Sequence, residues 1–93
     1  MPIEHYKITV KGRVQGVFFR ASTQKKASQL DIIGAVKNAP TGDVEIIATG
    51  EKQAMQKFIK WCHKGPLAAK VTEVVVEPLT DSIEHTGFTI IKH

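Results

Sequence analysis

GAVKNAPTGDVEIIATG, residues 34–50, reads as two strand arms about a turn. Ala35–Asn38 form the first arm, and Pro40-Thr41-Gly42-Asp43 supply turn chemistry. Val44–Gly50 form the second arm, with Val44, Ile46 and Ala48 on the inward face. An amphipathic hairpin in the middle of the chain implies an antiparallel sheet with one buried face. It argues against a doubly wound parallel sheet, whose strands would be apolar almost throughout.

Working outward, residues 52–64 place Ala54, Met55, Phe58, Ile59 and Cys62 at helical steps, with Lys and Gln on the other faces. His63 and Lys64 suit the helix end, and Gly65-Pro66 closes it. On the other side, residues 20–30 are rich in Ala, Gln and Lys, good helix formers. Thr23, Ala27 and Leu30 mark the face available for burial, and Gly34 reads as the stop signal that follows. Residues 5–11 alternate, with Tyr6, Ile8 and Val10 against Lys7, Thr9 and Lys11, and Gly12 reads as the end of that strand. Residues 70–77 form a Val-rich strand. A loop over 78–87 leads to a short strand over 88–92. The order is β-α-β-β-α-β plus a final strand: an α+β chain with two helices on one face of a mostly antiparallel sheet.

The bulk numbers agree. Ninety-three residues suit one domain, spanning 1–93, with one modest core. Apolar residues are 42% and charged residues 24%, ordinary for a globular protein. No apolar run reaches the ~20 residues of a membrane span, and MPIEHYKITV lacks the pattern of a secretory leader. Cys62 is the only cysteine, so a reducing, cytoplasmic setting is expected. The net charge of +4 favours anionic partners. There is no internal repeat.

This topology carries a site hypothesis. The first and second strands run parallel with the third between them, so the loop 13–19 and Asn38 reach the same rim of the sheet. The loop lies in GRVQGVFFR, residues 12–20. Gly12 and Gly16 permit unusual backbone angles, and successive N–H groups there can converge on an anion. The loop opens a helix whose first amides lack partners and carry positive partial charge. Arg20 offers a two-pronged contact to phosphate oxygens. Val17, Phe18 and Phe19 would anchor the loop and keep water from one side. Spacing alone leaves a second reading open, a plain Gly-rich turn with solvated arginines. Neither a nucleoside-triphosphate loop nor a dinucleotide fingerprint is present.

The pair of motifs narrows this. GRVQGVFFR fits G-x-V-x-G-V-x-F-R, and GAVKNAPTGDVE fits G-x-V-x-N-x-x-x-G-x-V-E. With the helix ending HKGP and the Val-rich strand after it, the chain closely resembles the acylphosphatase family from Tyr6 to Ile91. The resemblance implies a ferredoxin-like α/β sandwich, two helices on a five-stranded sheet. It implies hydrolysis of the carboxyl–phosphate bond of acyl phosphates to a carboxylate and inorganic phosphate. By motif position, Arg20 would bind phosphate, with the backbone amides of Gln15, Gly16, Val17, Phe18 and Phe19 completing the cradle, and Asn38 would orient the attacking water. No cofactor or metal is expected. Two departures stand out: Ala35, where many members carry an aromatic residue, and the Lys92-His93 ending, where relatives often finish with an aromatic residue or Arg.

Other features have plainer readings. His5, His63, His85 and His93 lie far apart with no metal-ligand spacing. Cys62 sits on an apolar stripe with no base placed beside it, as a structural thiol would. Trp61 reads as core, Lys25, Lys26 and Glu45 as solvated, and Arg13 as either a screen for the cradle or a solvated loop residue. The alternative function is a non-catalytic ferredoxin-like binding module for a phosphate-containing ligand or RNA. The third strand lacks the aromatic pattern of an RNA-recognition sheet, so nucleic acid is not favoured. The expected partners are a small acyl phosphate and inorganic phosphate. No membrane is expected, and monomer is the default state.

Overall fold

The computed structural model describes residues 2–80 and 86–92. The elements are β1 (Ile3–Arg13), α1 (Phe19–Gln29), β2 (Ile33–Asn38), β3 (Val44–Glu51), α2 (Lys52–Lys64), β4 (Lys70–Pro78) and β5 (Phe88–Ile91). The strands form one five-stranded sheet in the order β4-β1-β3-β2-β5. Every pairing is antiparallel except β2 with β5. This is the α+β arrangement expected from the hairpin, and β3 does lie between β1 and β2.

Period-two alternation sets the register. Ile8 lies opposite Ile46, Val10 opposite Val44, and Val36 opposite Ile46. All five side chains are fully buried. A slip of one residue would turn each of them to solvent, so the register is tightly specified. The helices cover this face. Met55, Phe58 and Cys62 of α2 recur at steps of three and four and are buried; from α1 come Phe19, Thr23 and Ala27. The α1 stripe is narrow and mostly small. Thr23 sits in it by donating its hydroxyl to the Phe19 carbonyl at 2.7 Å, which satisfies a group that is costly to bury unpaired. Aromatic contacts knit the layers: Phe19 packs on Trp61 with centroids 5.5 Å apart, and Phe58 meets Phe88 edge-on at 6.1 Å.

The sheet's other face carries Lys7, Thr9 and Lys11, all partly exposed. Lys11 pairs with Asp43 at 3.1 Å and Lys37 with Glu45 at 3.7 Å. Ala35 also belongs to this face, where a groove runs between it, Lys7, Lys37 and Ile91. No helix among the described residues is long and apolar enough to cross a membrane.

Two glycines read as punctuation are strand residues instead. Gly12 does not end β1, which continues through a bulge at Lys11/Gly12 to Arg13. Its φ is +123°, and a Cβ there would stand 2.1 Å from the Lys70 carbonyl oxygen, so the residue lets β4 close against the bulge. Gly34 does not stop α1. It lies inside β2 at φ +145°, where a Cβ would meet the Ile47 carbonyl oxygen at 1.8 Å. The α1 stop falls earlier: Leu30 caps the helix and Asp31 turns the chain at φ 56°. Of the loop expected over 78–87, residues 81–85 lie outside the described residues, as do His85 and His93.

Candidate active site

The β1–α1 connection is rooted at both ends. Val14 and Phe19 are each 1% exposed. Between them the chain takes left-handed backbone at Gly16 (φ 74°) and Phe18 (φ 62°). Phe18 is the α1 N-cap residue, and its carbonyl accepts the first helical bond from the Ser22 N–H at 3.0 Å. No side chain caps this helix start, and its first turn holds no acidic residue. The leading amides and the positive end of the helix dipole therefore face the loop without a counter-charge from the helix itself.

Arg20 is the second residue of α1, and Asn38 is the last residue of β2. Both line one cleft of about 360 Å³, together with Gly16, Phe18, Ile90 and Lys92. The topology thus brings the loop and Asn38 to one rim. Among the described residues, no carboxylate pairs with Arg20. Asn38 is distinctive in another way: its Oδ1 is buried and has no hydrogen-bond partner among the described residues. An unpaired buried carbonyl costs about 1–3 kcal/mol, and a well-made interior rarely tolerates one away from a functional position.

Gln15 adds a tie between the loop and the hairpin. Its Nε2 donates to the Ala39 carbonyl at 2.8 Å and to the Asp43 carbonyl at 2.9 Å. These bonds bind the loop to the turn immediately after Asn38, so Arg20 and Asn38 belong to one braced unit. The sequence reading gave Gln15 only a main-chain role; its side chain also fixes the distance between the two motifs. Partners more than twenty positions away leave no local trace in the sequence.

Other expected residues sort as follows. Phe19 anchors the loop and Val17 packs against the core. Phe18 does not anchor anything: it is 84% exposed, because a left-handed cap residue at the rim directs its side chain away from the interior. Lys92, noted in the sequence only as a departure in the ending, lines the cleft with Ile90, which was not singled out; β5, parallel to β2, brings both there. Arg13 is exposed and does not line the cleft. A larger hollow, about 530 Å³, lies at the other end of the sheet near Ile3, Ile33 and Glu51. It holds neither Arg20 nor Asn38.

Cys62 is fully buried, and burial pushes its thiol from 9.0 up to about 12. It stays protonated at neutral pH and is no nucleophile. Because folding raises this pKa, its contribution to stability is complete below pH ~9 and is lost as pH climbs towards 12, by at most about 1.4 kcal/mol per unit. Urea unfolding at pH 8 and at pH 10.5 should show wild-type stability falling, and falling less for Cys62→Ala over the same interval. Among the described residues, no group of three His, Cys, Asp or Glu side chains is placed to share a metal ion. The open sheet face presents His5, Lys7, Thr9 and Lys11 on β1, and Glu45, Ile47 and Thr49 on β3; the His5 ring is held by Thr49 at 2.9 Å, and no Phe, Tyr or Trp stands among these residues for bases to stack on.

With this geometry in hand, comparison with known proteins is decisive. Residues 6–90 match the sequence profile of the Acylphosphatase family. The chain belongs to the acylphosphatase family. It is 44% identical to an acylphosphatase of Marinobacter nauticus over 95% of this chain and 96% of that one. Among solved structures, an acylphosphatase from Bacillus subtilis superposes with a TM-score of 0.92 at 37% identity, covering 98% of this chain and 100% of that one. An acylphosphatase from Coxiella burnetii gives 0.91 at 38% identity, with 96% and 93% coverage. The fold is therefore that of acylphosphatases, with two helices on a five-stranded, mostly antiparallel sheet.

Proposed function

We propose that the chain acts as its family membership indicates, hydrolysing acyl phosphates to a carboxylate and inorganic phosphate, with Arg20 and the loop amides as the phosphate site and Asn38 as the water-positioning group. The observation that carries the assignment is the shared cleft: a cation at an uncapped helix start faces the same space as an unpaired, buried carboxamide oxygen.

The chemistry suits so sparse a site. Water attacks phosphorus, an O–P bond forms to it, and the bond to the carboxyl oxygen breaks. The departing carboxylate has an acidity close to that of Asp and Glu, near pKa ~4, so it leaves without a proton from the protein. Phosphoryl transfer then depends on position and charge. Arg20 and the amides from Gln15 to Phe19 offset charge on the three phosphoryl oxygens, each donor being worth about 3–4 kcal/mol in a partly dry cleft. The Asn38 Oδ1 accepts from the water and holds it in line. A carboxamide does not take the proton, which passes to a phosphoryl oxygen. Nothing in this sequence calls for a Lewis acid, because the guanidinium and amides already supply the positive charge.

The direct test is phosphate release from benzoyl phosphate and acetyl phosphate by the purified chain, before and after prolonged EDTA treatment. Turnover should be present and unchanged by EDTA. No hydrolysis of either compound would refute the hydrolase reading, and a loss restored by one metal would refute the metal-free mechanism. The same reading takes residues 1–93 as one catalytic domain, monomeric and cytoplasmic; the solitary, buried Cys62 supports a reducing compartment.

A further inference from the structure

Phe18 breaks two local rules at once. It is a large apolar side chain left 84% exposed, and it is a non-glycine residue at φ 62°. The left-handed cap turns this side chain outward, but nothing in the loop asks for a large apolar group at a position so turned. The motif G-x-V-x-G-V-x-F-R leaves this position open, and Phe19, not Phe18, is the aromatic that enters the core. Strained backbone and exposed apolar surface tend to persist where a ligand uses them. Phe18 lies at such a place, lining the same cleft as Arg20 and Asn38. Ile3 and Leu67, the other exposed large apolar residues described, do not line it.

Substrate geometry gives this ring a task. A phosphoryl group seated against the helix start would leave its acyl group free to reach the rest of the cleft lining. That lining includes Phe18, Ile90 and Lys92, two apolar side chains and one with a four-carbon aliphatic stem. We propose that Phe18 is a specificity-determining residue, its ring forming with Ile90 and Lys92 an apolar lip that receives the acyl end and favours aromatic and longer aliphatic acyl phosphates over acetyl phosphate. The inference rests on the acyl-phosphate reading above and adds the substrate class to it. The lip touches the part of the substrate that leaves, so its contribution falls mainly on ground-state binding and appears in KM.

The test compares kcat and KM for acetyl, butyryl and benzoyl phosphate in the full chain and in Phe18→Ala, Phe18→Asn and Phe18→Leu. Acetate and butyrate are leaving groups of nearly equal acidity, so their ratio reports contact rather than chemistry. Asn accepts left-handed backbone well, so Phe18→Asn guards against a loop that has merely lost its shape. The benzoyl-to-acetyl ratio of kcat/KM should fall about five- to tenfold in the Ala and Asn variants, through KM, and less in Phe18→Leu. The butyryl-to-acetyl ratio should fall in the same order. Unchanged ratios in folded, active variants would overturn the lip alone, as would a fall carried only by kcat. A wild-type chain that hydrolyses none of the three compounds would overturn the hydrolase reading, and the lip with it.

Discussion

Arg20→Ala is expected to lower kcat/KM for acyl phosphates by about a thousandfold or more, the scale seen when a guanidinium or an oxyanion donor is removed from a charge-stabilised transfer. Inhibition by inorganic phosphate should weaken in parallel, about ten- to a hundredfold, because charge-assisted bonds to the ground-state oxygens go too. Arg20→Lys should restore only part of this. An ammonium keeps the charge but cannot present the planar fork. The fold should survive, since Arg20 is only partly buried and makes no salt bridge among the described residues. Steady-state kinetics with phosphate as a product inhibitor, plus far-UV circular dichroism, would decide the matter. Full turnover in the alanine variant would remove Arg20 from the site.

The second large effect is expected at Asn38. Asn38→Ala should reduce kcat by about a hundredfold or more, the cost of letting a nucleophile drift out of line, while phosphate inhibition changes less than about twofold. The asymmetry separates the two proposed roles, Arg20 gripping the phosphoryl group throughout and Asn38 handling only the incoming water. Stability should hold to within about 1 kcal/mol, because the substitution deletes a buried oxygen that has no partner among the described residues. Lost phosphate affinity with normal turnover at saturation would place Asn38 on the phosphate instead. Lost turnover together with collapsed stability would make it a structural residue.

Much of this arrangement was legible in the chain itself. Val44, Ile46 and Ala48 alternate cleanly, and Met55, Phe58 and Cys62 recur at helical spacing, so hairpin and helix declared themselves. The site followed from topology, because β3 between β1 and β2 forces the loop and Asn38 to one rim. What escaped depends on close approach between distant segments. Gly12 and Gly34 looked like stops because a bulge against Lys70 and a contact with Ile47 are invisible in a linear string. Phe18 and Phe19 are neighbours of identical composition, and only the left-handed cap at Phe18 sends one outward while the other enters the core. The Gln15 bonds to Ala39 and Asp43 were hidden for the same reason.

The central pairing of the sheet has a bearing on how the enzyme comes into being. Ile3 lies opposite Glu51, and Val10 opposite both Val44 and Val74, so β1 finds its partners only after long stretches of chain have been synthesised and brought round. Closing such loops costs entropy before any contact repays it, and assembly is slow compared with that of a helical bundle of similar size. The Gly12–Arg20 segment depends on distant partners too, since Gly12 lies opposite Val71 and Gln15 bonds to the Ala39 and Asp43 carbonyls, and Asn38 reaches it only when β3 has docked between β1 and β2. If Arg20 and Asn38 act together as proposed, catalytic competence is withheld from nascent and half-folded chains, and its appearance marks completion of the sheet.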